Sequence, residues 1–118
     1  MDAEYLPLAR AATLLYARLF PGDKVKDAKT LDLLAVAISA RMPLYQQEVE
    51  NGPVRQVAAG DIARGRFTRG AARLELPDRP PLRFLMVSRR DLPAALQTMA
   101  TLPIRLLRPR AHSSPRGA

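Results

Sequence analysis

The chain has 118 residues, of which 47% are apolar, and it carries 19 Lys or Arg against 11 Asp or Glu. This length fits a single domain, and the apolar content is that of a globular protein and not of a disordered chain. With no Cys and one His, the composition excludes a disulfide framework, a thiolate metal site and a cysteine nucleophile.

The positive charge is distributed unevenly. Residues 1–52 have six Lys or Arg and seven Asp or Glu, whereas residues 53–118 have thirteen Arg and four Asp or Glu. The formal net charge of +8 therefore comes from the second half. Such a field favours an anionic partner, nucleic acid in particular. The competing interpretation is a GC-rich bacterial genome that encodes Arg wherever a solvated cation is tolerated.

Two helices are predicted at the start of the chain. Residues 4–20 have apolar side chains at three- and four-residue spacings over almost the whole helix surface, and Pro21-Gly22 ends this pattern. A second helix is expected to begin with Asp27 as its cap and to end near residue 42, before Pro43. The two form a helical hairpin. Because few positions of the first helix suit solvent, we expect residues 4–42 to offer a surface to a second copy.

Strands follow. Asn51-Gly52 predicts a hairpin within residues 45–57, in which Val49 faces Val54 and Glu48 faces Arg55. Residues 60–70 form a Gly- and Arg-rich connection, with Asp61 capping one helical turn. A second hairpin is predicted from residues 73–76 and 82–88, joined by a proline-rich loop.

The chain closes with a helix and a basic tail. The helix is expected to be capped by Asp91 and to end before Pro103, and residues 104–107 are expected to form an edge strand or to pack loosely. The predicted fold is α+β: an N-terminal helical hairpin, an antiparallel sheet of about four strands and one further helix packed on it. Residues 1–107 form the domain, and residues 108–118 form a flexible basic tail.

No constellation for catalysis stands out, and the expectation is a protein that is not an enzyme and has no cofactor and no metal. His112 lies in the tail beside two serines, where nothing orients it. Glu75, Asp78 and Asp91 have structural roles as strand exterior, turn and cap, and the glycines lack the Gly-Lys-Ser/Thr of a phosphate-binding loop. The acidic start does not resemble a signal peptide, and the longest uncharged apolar stretch is residues 33–38. A cytoplasmic protein that does not enter the membrane is therefore expected.

The candidate site is a set of arginines with one aromatic residue. Guanidinium groups bind phosphate oxygens through paired hydrogen bonds, and an aromatic ring can stack on an exposed base. The predicted nucleic-acid-binding residues, for DNA or RNA, are Arg64, Arg66, Phe67, Arg69, Arg73, Arg83, Arg89 and Arg90.

Three alternatives to nucleic-acid binding remain at this point. The arginines could form a solvated sheet face with Phe67 in the core. The protein could instead be a homodimeric interaction module that uses its N-terminal helices. Peripheral membrane binding by residues 53–118 is the weakest of the three alternatives, because no amphipathic Arg-rich helix with a large apolar face is predicted there.

Overall fold

Residues 4–23 and 27–102 are described in this computed structural model, and they contain four helices and seven short strands. The helices are α1 (Leu8–Leu19), α2 (Ala28–Ser39), α3 (Ala59–Arg64) and α4 (Leu92–Ala100). The strands are β1 (Tyr5–Pro7), β2 (Tyr45–Gln47), β3 (Val54–Gln56), β4 (Arg66–Thr68), β5 (Arg73–Glu75), β6 (Leu82–Arg83) and β7 (Leu85–Ser88). The α+β class predicted from the sequence is confirmed.

The strands form two antiparallel sheets. One has four strands in the order β1-β7-β2-β3, and the other has three in the order β4-β5-β6. The stretch predicted as one strand, residues 82–88, contributes to both: β6 pairs with β5, whereas β7 pairs with β1 and β2. The two strands are separated at Phe84, whose φ of 56° interrupts extended geometry. This single residue therefore links the two sheets.

The helical hairpin is present, since α1 and α2 pack against each other. Asp27 caps α2 as predicted, because its Oδ2 accepts a hydrogen bond from Thr30 N at 3.1 Å. Helix α1 begins at Leu8 and not at residue 4. Residues 5–7 are extended and pair with β7, which agrees with the restriction that Pro7 places on the residue before it.

The first β-hairpin forms with a different register from the predicted one. Val54 lies opposite Gln47 and Arg55 opposite Gln46, so the pairs Val49–Val54 and Glu48–Arg55 are wrong. Pro53 has no N–H to donate, and the ladder begins only after it. The turn itself uses Asn51 in a left-handed conformation (φ 63°) and closes with a hydrogen bond from Gly52 N to Val49 O.

The second β-hairpin, β5 with β6, is confirmed, with Arg73 opposite Arg83. Two predicted helix caps are wrong. Asp91 makes no capping hydrogen bond because its own backbone is helical (φ −90°, ψ −15°) and the second residue of α4 is Pro93, which lacks an N–H. Helix α3 begins after Ala58, and Asp61 lies in its first turn, where it binds arginines instead.

Helix α1 lies at the centre of the core. Its buried residues contact α2, α4 and β7, and they are Leu8, Ala11, Ala12, Leu15 and Tyr16. Most of the apolar surface that suggested a partner for this helix is therefore covered by the rest of the chain. The predicted strand at residues 104–107, the domain boundary at residue 107 and the tail at residues 108–118 lie outside the described residues.

Candidate nucleic-acid interface

The three-stranded sheet separates apolar from basic side chains. Phe67 and Leu74 are cross-strand partners, both are buried, and β4 contacts α2. Because side chains alternate along a strand, Thr68, Arg73 and Arg83 lie on the opposite, outer face, where the register places them in one row. Arg73 and Arg83 are directly opposite each other, an arrangement that is unfavourable for like charges unless an anion compensates.

A groove runs beside this row. It has a volume of about 330 Å³, and its lining includes Arg69, Arg73, Arg83 and Phe84. Three of the predicted arginines therefore line one concave surface. Arg73 has an acidic neighbour, Glu75, at 3.7 Å, whereas neither Arg69 nor Arg83 forms an ion pair with any residue in the described ranges.

The connection between β4 and β5 carries Arg69 into the groove. Three successive residues, Arg69, Gly70 and Ala71, have φ values of 59°, 65° and 75°. Left-handed geometry is unfavourable for residues with a Cβ, so this loop needs support from outside itself. The support comes from α2, because Asp32 Oδ1 accepts a hydrogen bond from the Ala71 N–H at 2.8 Å. Ala71 is completely buried.

Phe84 is the residue that sequence reasoning missed. This residue is 62% exposed, its φ is 56°, and it lines the same groove as the arginines. No local signal distinguishes it, since a strand pattern covers residues 82–88 without interruption. Phe67, the aromatic residue chosen from the sequence, is 5% exposed and belongs to the core. The prediction that Phe67 stacks on bases is therefore wrong. The exposed aromatic residue of this surface is Phe84.

Arg64 lies apart from the groove and is neutralised. Its guanidinium contacts Asp61 at 2.8 Å and Asp78 at 3.4 Å, and Asp61 also binds Arg79. Two carboxylates thus offset the charge of these two arginines. Arg66 is exposed on β4 opposite Glu75 and lines a different cavity, between α2 and α3.

Arg89 and Arg90 are placed at the far end of β7 from Phe84. The Arg89 N–H donates to the carbonyl of Glu4 at 2.9 Å, and both side chains are exposed. Arg90 shares a cavity of about 570 Å³ with Arg41 at the start of α4. The eight predicted residues therefore do not form one surface: three converge on the groove, and the other five are distributed among other places.

Two further findings concern the described parts of the chain only. Within residues 4–23 and 27–102, no three or more His, Cys, Asp or Glu side chains are grouped so that they could hold a metal ion. In the same ranges, every helix is too short or too polar to cross a membrane.

Known proteins give no further guide to this surface. Comparisons of the chain with family models, with curated proteins and with solved structures found no significant match.

Proposed function

We propose that this protein binds nucleic acid, with the groove lined by Arg69, Arg73 and Arg83 as its main contact surface. The observation that carries the proposal is that these three arginines line one concave surface together with an exposed aromatic residue. Guanidinium groups match the geometry of phosphate oxygens. Nucleic acid presents such oxygens at regular intervals along its backbone.

The charge balance supports an anionic ligand. Residues 53–118 have nine more Arg than acidic residues. In the described part of that half, the acidic side chains form ion pairs with some arginines and not with others. Asp61 and Asp78 neutralise Arg64 and Arg79, whereas Arg69 and Arg83 have no acidic neighbour within 4 Å in the described part of the chain. The groove is therefore a concave surface lined by two arginines whose charge no acidic side chain in the described residues offsets. The sequence-based expectations of a cytoplasmic location and of no enzymatic activity remain predictions.

The experiment compares two variants of equal charge. Arg69→Gln with Arg83→Gln removes two cations from the groove, and Arg18→Gln with Arg55→Gln removes two exposed cations from α1 and β3. Affinity for labelled mixed-sequence DNA and RNA is measured by fluorescence anisotropy over a range of salt concentrations.

Each phosphate contact contributes a salt-dependence slope of about 0.7 on a single strand, which corresponds to about fivefold in affinity at 0.1 M salt. The groove variant is therefore expected to lose about 25-fold at 0.1 M salt and about 1.4 in slope. The control variant should change by less than about threefold, since diffuse charge contributes little beyond a Debye length. Equal losses in the two variants would support the alternative of a solvated arginine-rich face, and no binding by the unmodified chain at low salt would refute the proposal.

A second candidate function, a homodimeric interaction module, is favoured by the exposed face of α2. A largely apolar cavity of about 820 Å³ lies between α2 and α3, and Leu33, 39% exposed, is part of its lining. The lining includes Lys29, Asp32 and Arg66 and so has both signs of charge, which lets identical surfaces pair across a two-fold axis with opposite charges facing each other. The sequence predicts the dimer surface within residues 4–42. Because α1 packs in the core, we propose that α2 provides this surface.

Sedimentation equilibrium tests this second function with a matched pair of variants. Leu33→Asp places a charge in the α2–α3 cavity, whereas Leu14→Asp places one at an equally exposed leucine on α1 (37%). A dimer that is lost in Leu33→Asp and kept in Leu14→Asp is the expected result. A strict monomer at high micromolar concentration for the unmodified chain would exclude it.

A further inference from the structure

We infer that the groove receives single-stranded nucleic acid, with one base stacked on Phe84 and the adjoining phosphates bound by Arg69, Arg73 and Arg83. This inference rests on the proposed function and narrows it, because it specifies the strandedness of the ligand and assigns a role to an uncharged residue. Three properties of Phe84 support it: its conformation, its exposure and its neighbours.

The conformation of Phe84 is unfavourable for folding. A φ of 56° places its Cβ close to the following carbonyl oxygen, which glycine would avoid. Phe84 is 62% exposed, so most of its surface gains nothing from burial. Strained residues of this kind concentrate at ligand-binding sites, where the side chain is held in the orientation that the ligand requires.

The neighbours of Phe84 determine what its ring can meet. Arg83 precedes it on the outer face of the three-stranded sheet, Arg73 lies opposite Arg83, and Arg69 lines the same groove together with Ala71 and Ala72. An exposed aromatic residue in a groove that arginines also line is the combination that binds single strands, with stacking on bases and ion pairing with phosphates. The groove, at about 330 Å³, is at the small end of ligand-binding cavities.

A duplex fits this arrangement poorly. Its base faces are covered by stacking, and exposing one requires unstacking, which costs free energy. The stacking surface of Phe84 would then contribute nothing to a duplex, and only the arginines would bind. In a single strand the bases are accessible, so both kinds of contact form together.

The principal test removes the ring without changing charge. Phe84→Ala is expected to weaken binding of a single-stranded oligonucleotide about 5- to 150-fold, the range found when single stacking aromatics are replaced. The salt slope should stay the same, since no phosphate contact is lost. Val49→Ala is the matched control, because Val49 is equally exposed (61%) but lies in the β2–β3 turn. Its affinity should not change.

Two further ligands separate stacking from charge. An abasic strand of the same length has phosphates but no bases, so the unmodified chain should bind it less tightly, and Phe84→Ala should bind both strands alike. A duplex of the same sequence should bind the unmodified chain and Phe84→Ala equally. Tighter binding to the duplex than to the single strand, or equal binding of polyglutamate and nucleic acid, would overturn the inference.

A third variant reports stacking directly and guards against a folding defect. The chain has no tryptophan, so Phe84→Trp introduces a single indole at the groove. Quenching of its fluorescence on addition of the oligonucleotide, with affinity retained, is the expected result. If Phe84→Ala and Phe84→Trp bind as tightly as the unmodified chain while Arg69→Gln with Arg83→Gln is weakened, the inference fails and the proposed function stands. If the arginine variant is unaffected as well, both fail.

Discussion

The hydrogen bond between Asp32 and Ala71 connects two segments 39 residues apart, and its removal gives the sharpest test of how the groove is built. Asp32 is on α2, and its Oδ1 accepts from the Ala71 N–H at 2.8 Å. Ala71 is 0% exposed, so its N–H depends on this acceptor within the folded chain. In Asp32→Ala, a buried N–H would be left without a partner in a loop that already contains three left-handed residues.

The size of the effect follows from the kind of hydrogen bond. A hydrogen bond to a charged group contributes about 1.5–3 kcal/mol to stability. For a domain of this size, 1 kcal/mol corresponds to about 4 °C in melting temperature, so Asp32→Ala should melt about 6–12 °C lower. Asp32→Asn keeps an oxygen acceptor and should lose less than half of that. Asp78→Ala, at an exposed carboxylate that contacts Arg64 at 3.4 Å, should change stability by less than about 1 kcal/mol.

Circular dichroism during heating and during urea titration measures these differences. Since the same loop carries Arg69, Asp32→Ala should also weaken nucleic-acid binding at temperatures where the protein remains folded. If Asp32→Ala, Asp32→Asn and the unmodified chain have the same melting temperature, then this hydrogen bond does not stabilise the loop. The left-handed backbone at residues 69–71 would then have another cause.

Two other predictions concern the core. In Gly65→Ala the new Cβ would lie 2.9 Å from the Asp61 carbonyl oxygen and 2.6 Å from Leu74 Cδ1. We therefore expect the free energy of unfolding, measured in urea, to fall by about 1–3 kcal/mol. Gly60→Ala is the control, because the space around Gly60 is open, and it should be neutral or slightly stabilising. The pKa of Tyr16 is raised above its ordinary value of 10.0, first by the hydrogen bond that its hydroxyl donates to Asp23 and then by burial and nearby negative charge. Because the folded state holds this proton more tightly than the unfolded state, the resulting stabilisation is complete below pH 10 and is lost as the pH rises through the folded-state pKa. Unfolding measured from about pH 8 to about pH 11 should therefore show a steeper loss of stability in the unmodified chain than in Tyr16→Phe, and identical slopes would contradict the assignment.

Local patterns were sufficient for the elements whose stability depends on near neighbours in the chain. The apolar spacing of α1 and α2, the cap at Asp27 and the pairing of β5 with β6 all involve residues within a few turns or one loop of each other. Local reasoning was wrong where backbone geometry decided the outcome. The ladder stopped at Pro53, and Asp91 adopted helical geometry that prevents capping.

The amino-acid sequence alone determined the class of fold, the helical hairpin and the excess of positive charge in the second half, because composition and periodicity are properties of the chain itself. Only the tertiary structure decided which charges meet. Residues 82–88 read as one strand, yet pairing with distant β5 on one side and with β1 and β2 on the other divides them at Phe84. That division places Phe84 in the groove, whereas Phe67 lies in the core. The pairing of strands depends on long-range contacts, which local sequence does not encode.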